Sequence, residues 1–196
     1  MQPFPGALGL GVLRGRVHEF CGSARVNLAA MILRESQGPV IWIAPGWQAD
    51  RIYSAGLVAY ADPARLIYAR ARRAEDLLWA AEEALRSGAA AIVIAELPDL
   101  PGLTPVRRLH LAAETGAQMA QHRAHLPPLG LLLTPGMGGA QGVESRWHLV
   151  ARPSGTTLID TKEAWTLSRL RARMAPPASW DVARDMAGQI TLSPAR

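Results

Sequence analysis

Hydrophobic and polar positions follow two alternating patterns over residues 10–134. Short apolar runs predict buried β-strands at residues 17–20, 40–44, 66–69, 92–95 and 130–133. Between these runs, apolar positions recur at helical spacing and predict helices at residues 24–35, 47–61, 73–88 and 104–125. Strands without internal alternation, separated by helices, are typical of a parallel sheet that is covered on both faces. We therefore predict an α/β fold with a mainly parallel central sheet flanked by helices.

Two of the predicted helices carry end signals. In residues 73–88 the acidic side chains come early to midway, and Arg86 and Gly88 end the apolar pattern. We expect Trp79, within this helix, to be in the core or half-buried. The helix at residues 104–125 begins with Thr104 as the capping residue and Pro105 at the first helical position.

The pattern changes after Thr134. Residues 135–142 are rich in glycine and predict a flexible loop. Period-two alternation and a Pro-Pro turn then predict antiparallel C-terminal edge strands at residues 145–153, 163–173 and 179–186. We predict a single domain over residues 1–196, with 1–14 as an extended lead-in and 159–196 as a C-terminal β-hairpin and tail.

Composition narrows the class of protein. The chain has 196 residues, of which 49% are hydrophobic and 19% charged, as expected of a globular protein. Cys21 is the only cysteine, which excludes an internal disulfide and fits a reducing compartment. We find neither a signal peptide nor a run long enough to span a membrane, so we expect a cytoplasmic protein. The net charge is +5, and nearly all of the positive side chains are arginine. Either this charge indicates an acidic partner, or the excess of arginine reflects GC-rich coding.

The segment at residues 15–32 has the strand–turn–helix layout of a phosphate-binding loop. A working loop has the form G-x-x-x-x-G-K-[ST], in which backbone amides and the lysine hold phosphates and the hydroxyl binds magnesium. Here the turn is a degenerate phosphate loop, formed by Cys21, Gly22, Ser23, Ala24 and Arg25. Ser23 and Arg25 could still contact an anion, but a tight structural turn is the favoured interpretation. We predict no cofactor.

The other positions that phosphoryl transfer needs are also changed. In the active ATPases that this layout resembles, a metal-binding acid stands at the position of Ala95, and here Glu96 comes one residue later, on the opposite face of the strand. In those ATPases a catalytic glutamate follows the second strand and a phosphate-sensing polar residue follows the fifth. Here Gln48 or Asp50 follows the second strand without a recognisable match, and Thr134 and Pro135 follow the fifth. His18 and Glu19 are adjacent on a strand and predict no metal site. We therefore predict that the protein is not an enzyme.

Arginine and tryptophan side chains are the candidate contact residues for a partner or for nucleic acid. Period-two spacing predicts that Arg169, Arg171 and Arg173 line one face as a basic stripe, which is either a solvated edge or a contact for DNA or an acidic protein. Arg107 and Arg108 lie at a helix end, where partner contacts are also expected. For Trp165 and Trp180, core packing is favoured over partner contact.

The order of these elements resembles the RecA-type ATPase core over nearly the whole chain. The segment GRVHEFCGSA resembles the entry to the phosphate loop, and LLWAAEEALRSGAAAIVIAEL resembles the helix and strand that lead to the magnesium-binding aspartate. The segment LSRLRARMAPPASWDVARD resembles the late β-hairpin. Within that superfamily, the short chain, the HEF start, RRLHLAAE and the late pairing of tryptophans with RLRAR most resemble the ImuA family.

The resemblance to the ImuA family implies a function in the bacterial SOS response to DNA damage. It implies an ATPase-deficient RecA-like adaptor, a pseudo-ATPase, that supports mutagenesis by translesion synthesis through protein–protein interaction. The implied partners are ImuB (an inactive polymerase-like protein), an error-prone replicative-type polymerase and RecA itself, with weak DNA contact and no membrane. The alternative is a cell-division inhibitor that resembles SulA and binds FtsZ.

Overall fold

The computed structural model describes residues 10–49, 52–123, 125–153 and 161–195. Within these residues the helices are α1 (Arg25–Arg34), α2 (Ser54–Leu57), α3 (Ala74–Ser87) and α4 (Leu103–His122), with a 3-10 turn at Pro63–Arg65. The strands are β1 (Val17–Cys21), β2 (Val40–Pro45), β3 (Leu66–Ala71), β4 (Ile92–Glu96), β5 (Leu129–Leu133), β6 (Ser145–Arg152), β7 (Thr161–Ala172), β8 (Ala178–Asp185) and β9 (Ile190–Pro194). The described strands form one sheet in the order β3-β2-β4-β5-β1-β6-β7-β8-β9.

The first five strands pair in parallel, which confirms the predicted mainly parallel sheet. β4 lies in the interior between β2 and β5, with Ile94 opposite Trp42 on one side and Leu131 on the other. Along β4, Ile92 and Ile94 pack with the α1 side of the core. The intervening residues, Val93 and Ala95, pack with α3 and α4 on the other face. Helices on both faces explain why the sequence of β4 does not alternate.

The C-terminal strands differ from the prediction in two ways. β6 runs parallel to β1, although it is antiparallel to β7, so the expectation that residues 145–153 form an antiparallel edge strand is wrong on the β1 side. Alternation of apolar and polar residues shows that one face of a strand is buried, but it does not show in which direction the strand runs. The direction of β6 is set by the connection from β5. The predicted tail contains β9, which pairs antiparallel with β8.

The helix predictions were accurate where the apolar pattern is long. α3 begins and ends within one residue of its predicted bounds, with Gly88 in the left-handed conformation at its end. The helix predicted at residues 47–61 is wrong in extent, since the described part is helical only in α2. The predicted cap of the last helix is also wrong, because α4 begins at Leu103 after Gly102 and has no side-chain cap. Pro105 fits inside the first turn, where an amide needs no helical partner.

Residues 10–14 are packed against the fold, whereas residues 1–9 of the predicted lead-in lie outside the described residues. Leu10 and Val12 are buried. The Arg14 guanidinium donates through Nη1 to the carbonyl oxygens of Ala91 at 2.9 Å and Pro127 at 3.0 Å. These contacts tie the approach to β1 to the starts of β4 and β5. Among the described helices, none has the length and apolar character that crossing a membrane would require.

Candidate functional site

The backbone amides of the turn after β1 donate hydrogen bonds to carbonyl groups of the protein itself. The N–H of Gly22 donates to Gly136 at 2.9 Å, that of Ala24 to Leu149 at 3.0 Å, and that of Arg25 back to Gly22 at 3.4 Å. The guanidinium of Arg25 also donates to the Gly22 carbonyl, at 3.2 Å. A phosphate-binding loop needs such amides free and converging on the anion. The geometry therefore favours the structural turn over the anion site, the two alternatives that the sequence leaves open.

Gly22 also lies too close to β6 for the turn to open without a change in packing. Its φ is +92°, and an added Cβ would lie 2.3 Å from the carbonyl oxygen of Leu149. The following residue that could contact an anion, Ser23, is exposed at the tip of the turn. The backbone of the degenerate loop is thus packed against the sheet, whereas in a nucleotide-binding protein it would face the ligand.

Cys21 ends β1 as a buried thiol. Its Sγ donates to the carbonyl oxygen of Trp147 at 3.4 Å. Burial raises the pKa of Cys21 to about 12, and the nearby Glu19 carboxylate adds to the shift. A thiol with this pKa is protonated at neutral pH and is a poor nucleophile or metal ligand.

Glu19 is a fully buried carboxylate that anchors the loop after β5. Its Oε1 accepts from the Thr134 hydroxyl at 2.7 Å and from the amides of Gly139 at 2.9 Å and Ala140 at 3.0 Å. Its Oε2 accepts from the guanidinium of Arg146 on β6. Residues 135–142, which the sequence predicts as a flexible loop, are therefore held at several points. Thr134 occupies the position at which active relatives are expected to sense phosphate, and here its hydroxyl donates to Glu19.

His18 points away from Glu19, as predicted for neighbours on a strand, and is also structural. Its Nδ1 is 2.7 Å from the Ser145 hydroxyl, and its Nε2 is 3.0 Å from the amide nitrogen of Leu13. Burial lowers the pKa of His18 to about 4, so the ring is neutral at physiological pH. Within the described part of the chain, no three His, Cys, Asp or Glu side chains are placed to hold a metal ion.

The remaining catalytic positions do not come together around the turn. Ala95 is buried in the core on the α3 and α4 side. Glu96 lies on the other face, where its Oε1 accepts from the Trp42 indole at 2.5 Å. Gln48 is exposed and its carbonyl accepts from Arg70, while Asp50 lies outside the described residues.

The predicted basic stripe is divided by a β-bulge in β7. Trp147 pairs with Arg169, whereas its neighbour Arg146 pairs with Arg171, so the single residue Leu170 is extra. Successive residues on β6 point to opposite faces. Arg169 and Arg171 therefore lie on opposite faces, and the prediction of one shared face is wrong. An extra residue reverses the alternation, and spacing within β7 could not reveal it.

Arg169 packs onto two tryptophan rings. Its guanidinium carbon lies 5.5 Å from the centre of the Trp147 ring and 5.3 Å from that of Trp180, within cation–π range. Trp180 is half-buried, whereas Trp165 is only 4% exposed and belongs to the core. Core packing, the favoured interpretation of these tryptophans, holds for Trp165, and the half-buried Trp180 packs against the same core. Trp79, in contrast, is 61% exposed, so its predicted burial is wrong.

Two of the predicted contact residues meet in a cavity of about 440 Å³ beside α4. We call it the basic cleft and define it by Arg16, Arg107 and Arg173, which come from three distant parts of the sequence. Arg107 and Arg173 are exposed. Arg108 lies apart, paired with Glu82 at 2.9 Å and lining a different depression with Trp79.

Acidic and apolar side chains complete the basic cleft. Glu114 pairs with Arg16, and Glu144 lies 3.9 Å from both Arg16 and Arg173. Leu111 is 63% exposed at its wall. The cleft thus offers guanidinium groups next to apolar surface, a combination that is frequent at protein interfaces.

His110 also lines the basic cleft, and its ring is held by a hydrogen bond to the loop after β5. Its Nε2 donates to the Gly142 carbonyl at 3.1 Å, and burial lowers its pKa. The other ring nitrogen, Nδ1, is buried and has no hydrogen-bond partner among the described residues. Sequence reasoning missed Arg16 and His110 as parts of this cleft, because no local motif links them to Arg107 or Arg173.

The fold defines the class: an α/β protein with a mostly parallel sheet and antiparallel C-terminal strands, in which the amides of the turn after β1 are bonded within the protein. No protein-family model matches the chain. Protein ImuA from Caulobacter vibrioides, in two strains, is 33% identical to it over 159 residues. The match covers 77% of this chain, and the chain spans 62% of the length of these curated relatives. The comparison confirms the resemblance to the ImuA family.

The chain is also similar to a solved structure. The crystal structure of SulA from Pseudomonas aeruginosa matches 59% of this chain and 95% of its own length, with a TM-score of 0.45 and 23% sequence identity.

Proposed function

We propose that this protein is an ATPase-deficient adaptor of RecA-like fold in the SOS response, where it supports error-prone translesion synthesis with an ImuB-like partner. The similarity to ImuA carries the proposal. The occupied amides of Gly22, Ala24 and Arg25 support the loss of nucleotide chemistry. The fold then contributes surfaces rather than catalysis.

The basic cleft is the surface that we assign to the partner. Arg107 on α4 and Arg173, directly after β7, are exposed and line one cavity with Leu111. Guanidinium groups recognise carboxylates with paired hydrogen bonds, and a neighbouring apolar wall favours a protein segment over a free anion. We propose that an acidic segment of the ImuB-like protein, with an apolar residue beside its carboxylates, occupies this cleft. Arg171 and Trp180 remain proposed contacts on the C-terminal strands, with DNA as their weaker alternative.

The test is capture of the ImuB-like protein and the error-prone polymerase from the same genome, with purified full-length chains. The double variant Arg107→Ser and Arg173→Ser should reduce binding at least about tenfold, the effect of losing one charge-assisted contact or more. Arg73→Ser is the matched control, because its side chain is 67% exposed and lies at the start of α3. An equal thermal midpoint for all variants establishes that folding is intact.

Other outcomes of the same experiment count against the proposal. Unchanged capture by the double variant would reject the basic cleft as the interface. If the chain binds FtsZ and not the ImuB-like protein, the division-inhibitor alternative is correct. A DNA-binding arm across a salt series identifies phosphate contact, since such binding weakens steeply as salt rises.

A further inference from the structure

The depression that Trp79 and Arg108 line is a second cleft, which lies between α3 and the first half of α4. Its volume is about 630 Å³, within the range of about 300–1,000 Å³ that is typical of binding pockets. Its walls include Leu78, Trp79 and Glu82 from α3, and Pro105 and Arg108 from α4. We call it the Trp79 cleft and define it by these five residues.

The charged side chains in and around the Trp79 cleft already form ion pairs. Arg108 pairs with Glu82 at 2.9 Å, from one wall to the other. At the start of α3, Arg73 pairs with Asp76 at 2.9 Å and with Glu75 at 3.4 Å. Because these charges are paired within the protein, the cleft offers a partner apolar surface rather than a free charge.

Trp79 is the largest apolar side chain of the Trp79 cleft. It is 61% exposed, although it lies within a regular helix. Leu78 and Pro105 are half-buried in the same walls and extend the apolar surface. Contact with a partner would remove this surface from water, and tryptophan is enriched among the residues that dominate binding at interfaces. Trp79 is therefore suited to anchor an apolar side chain of a partner.

The Trp79 cleft and the basic cleft lie on the two sides of one helix. The neighbouring residues Arg107 and Arg108 of α4 line the basic cleft and the Trp79 cleft, respectively. Both are exposed, so the outer face of α4 joins the two clefts. A helix with its side chains is about 10–12 Å across, and an extended segment advances about 3.3 Å per residue, so about four residues of such a segment span the distance.

The two clefts recognise different chemical groups. Arg107 pairs with no carboxylate among the described residues, so the basic cleft keeps a cation for a partner's carboxylate. The Trp79 cleft accepts an apolar group instead. A single segment that carries both groups covers both clefts, whereas either cleft alone offers little area to a stable complex. A second copy of this chain is disfavoured, because it brings the same net charge of +5 to the exposed Arg107.

We propose that the ImuB-like partner binds across the outer face of α4. Carboxylates of one of its segments lie in the basic cleft, and a further apolar side chain of the same segment, about four residues away, packs against Trp79. This inference rests on the proposed function, since it adds a second anchor for the same partner. Trp79 then contributes to binding and little to the stability of the free chain.

The test measures the affinity of the purified full-length chain for the purified ImuB-like protein from the same genome. Trp79→Ala should weaken binding at least about tenfold, as expected when a tryptophan anchor is lost. Trp47→Ala is the matched control and should bind like the unchanged chain, because Trp47 is 51% exposed but lines neither cleft. Arg73→Ser also remains a control, since it removes a charge that is already paired at the start of α3 and leaves Trp79 in place.

A second measurement follows Trp79 without altering it. The chain is labelled with 5-fluorotryptophan, and the fluorine-19 signals are assigned by their loss in Trp79→Phe and in Trp47→Phe. The Trp79 signal should shift when the ImuB-like protein is added, and the Trp47 signal should not. This measurement keeps the test valid if Trp79→Ala is unstable.

Combining Trp79→Ala with Arg107→Ser and Arg173→Ser separates this inference from the proposed function. Because the two clefts would bind one partner at separate points, the two losses should multiply to about a hundredfold or more. If the arginine variants weaken binding but Trp79→Ala does not and the Trp79 signal stays in place, the proposed function stands and this inference is wrong. Failure of the unchanged chain to bind the ImuB-like protein would reject both.

Two further results would assign Trp79 to a different contact and overturn the inference. In the first, Trp79→Ala weakens capture of the error-prone polymerase but not of the ImuB-like protein, so that the two clefts serve different partners. In the second, the unchanged chain forms a dimer that Trp79→Ala dissociates, which analytical ultracentrifugation would detect.

Discussion

Gly22 shows at the scale of one residue how the degenerate loop is closed. Its positive φ and its contact with β6 allow no side chain, since an added Cβ would lie 2.3 Å from the Leu149 oxygen. We expect Gly22→Ala to lower the free energy of unfolding by about 2–4 kcal/mol. Gly136→Ala is the control, because its φ is +59° but nothing lies within 4 Å of its added Cβ.

Urea denaturation of both glycine variants distinguishes crowding from backbone strain. Gly136→Ala introduces only the strain of a left-handed backbone, about 1 kcal/mol. A similar loss in both variants would contradict close packing between Gly22 and β6.

Glu19 and Arg146 form a buried ion pair whose loss should destabilise the fold. Glu19→Gln leaves the guanidinium of Arg146 without its carboxylate partner, and the Arg146 side chain is only 17% exposed. We expect a loss of about 3 kcal/mol in the free energy of unfolding. Glu114→Gln breaks the Arg16 pair, where Glu114 is 46% exposed, and should cost less than about 1 kcal/mol. Equal effects in chemical denaturation would contradict the anchoring function of Glu19.

His18 predicts a specific dependence of stability on pH. Its pKa in the folded protein is about 4, below its ordinary value of 6.5, because burial disfavours the charged ring. The unfolded chain therefore binds a proton first as pH falls. The contribution of His18 is fully present above about pH 6.5 and is lost progressively down to about pH 4, by about 3 kcal/mol.

The pH prediction is checked by denaturation at a series of pH values in paired variants. His18→Gln should flatten the slope between pH 6.5 and pH 4. His122→Gln alters an exposed histidine at the end of α4 and should retain the slope. A steep slope that survives in His18→Gln would assign the proton uptake to another group.

At the scale of secondary-structure elements, the tryptophans separate core from surface. Trp165 on β7 is 4% exposed, and Trp165→Ala should lower the free energy of unfolding by about 3–5 kcal/mol. Trp79 on α3 is 61% exposed, and Trp79→Ala should change it by no more than about 0.5 kcal/mol. Comparable losses in urea denaturation would place Trp79 in the folded core after all.

Elements with long regular patterns were predictable, and short ones were not. α3 repeats its apolar positions over several turns and ends at Gly88, so its bounds follow from the sequence. α2 is a single turn containing Gly56, and its brevity depends on packing rather than on propensity. The bulge at Leu170 depends on the partner strand β6, which the sequence of β7 does not contain.

At the scale of the whole molecule, the lost chemistry predicts how the protein responds to nucleotide. No lysine stands directly after the turn, and three amides of the turn are hydrogen-bonded to protein carbonyls. We expect isothermal titration with ATP and magnesium to show no micromolar affinity, and phosphate release to equal that of a buffer blank. Micromolar binding or turnover above the blank would contradict the pseudo-ATPase proposal.

The sequence by itself determined the central strands, the longer helices and the degenerate character of the turn. These properties depend on local side-chain patterns and on which residue types are present, such as the missing lysine after Gly22. The resemblance to the ImuA family also followed from the order of local motifs. Local information was sufficient for each of these conclusions.

Only the tertiary structure decided where the candidate contact surfaces lie. Arg16, Arg107 and Arg173 meet because α4 packs against β1 and β5 in the middle of the sheet. Register across β6 and β7 separated Arg169 from Arg171. The physical reason is that a side chain's neighbours are set by packing and strand register over long sequence separations, which no short motif encodes.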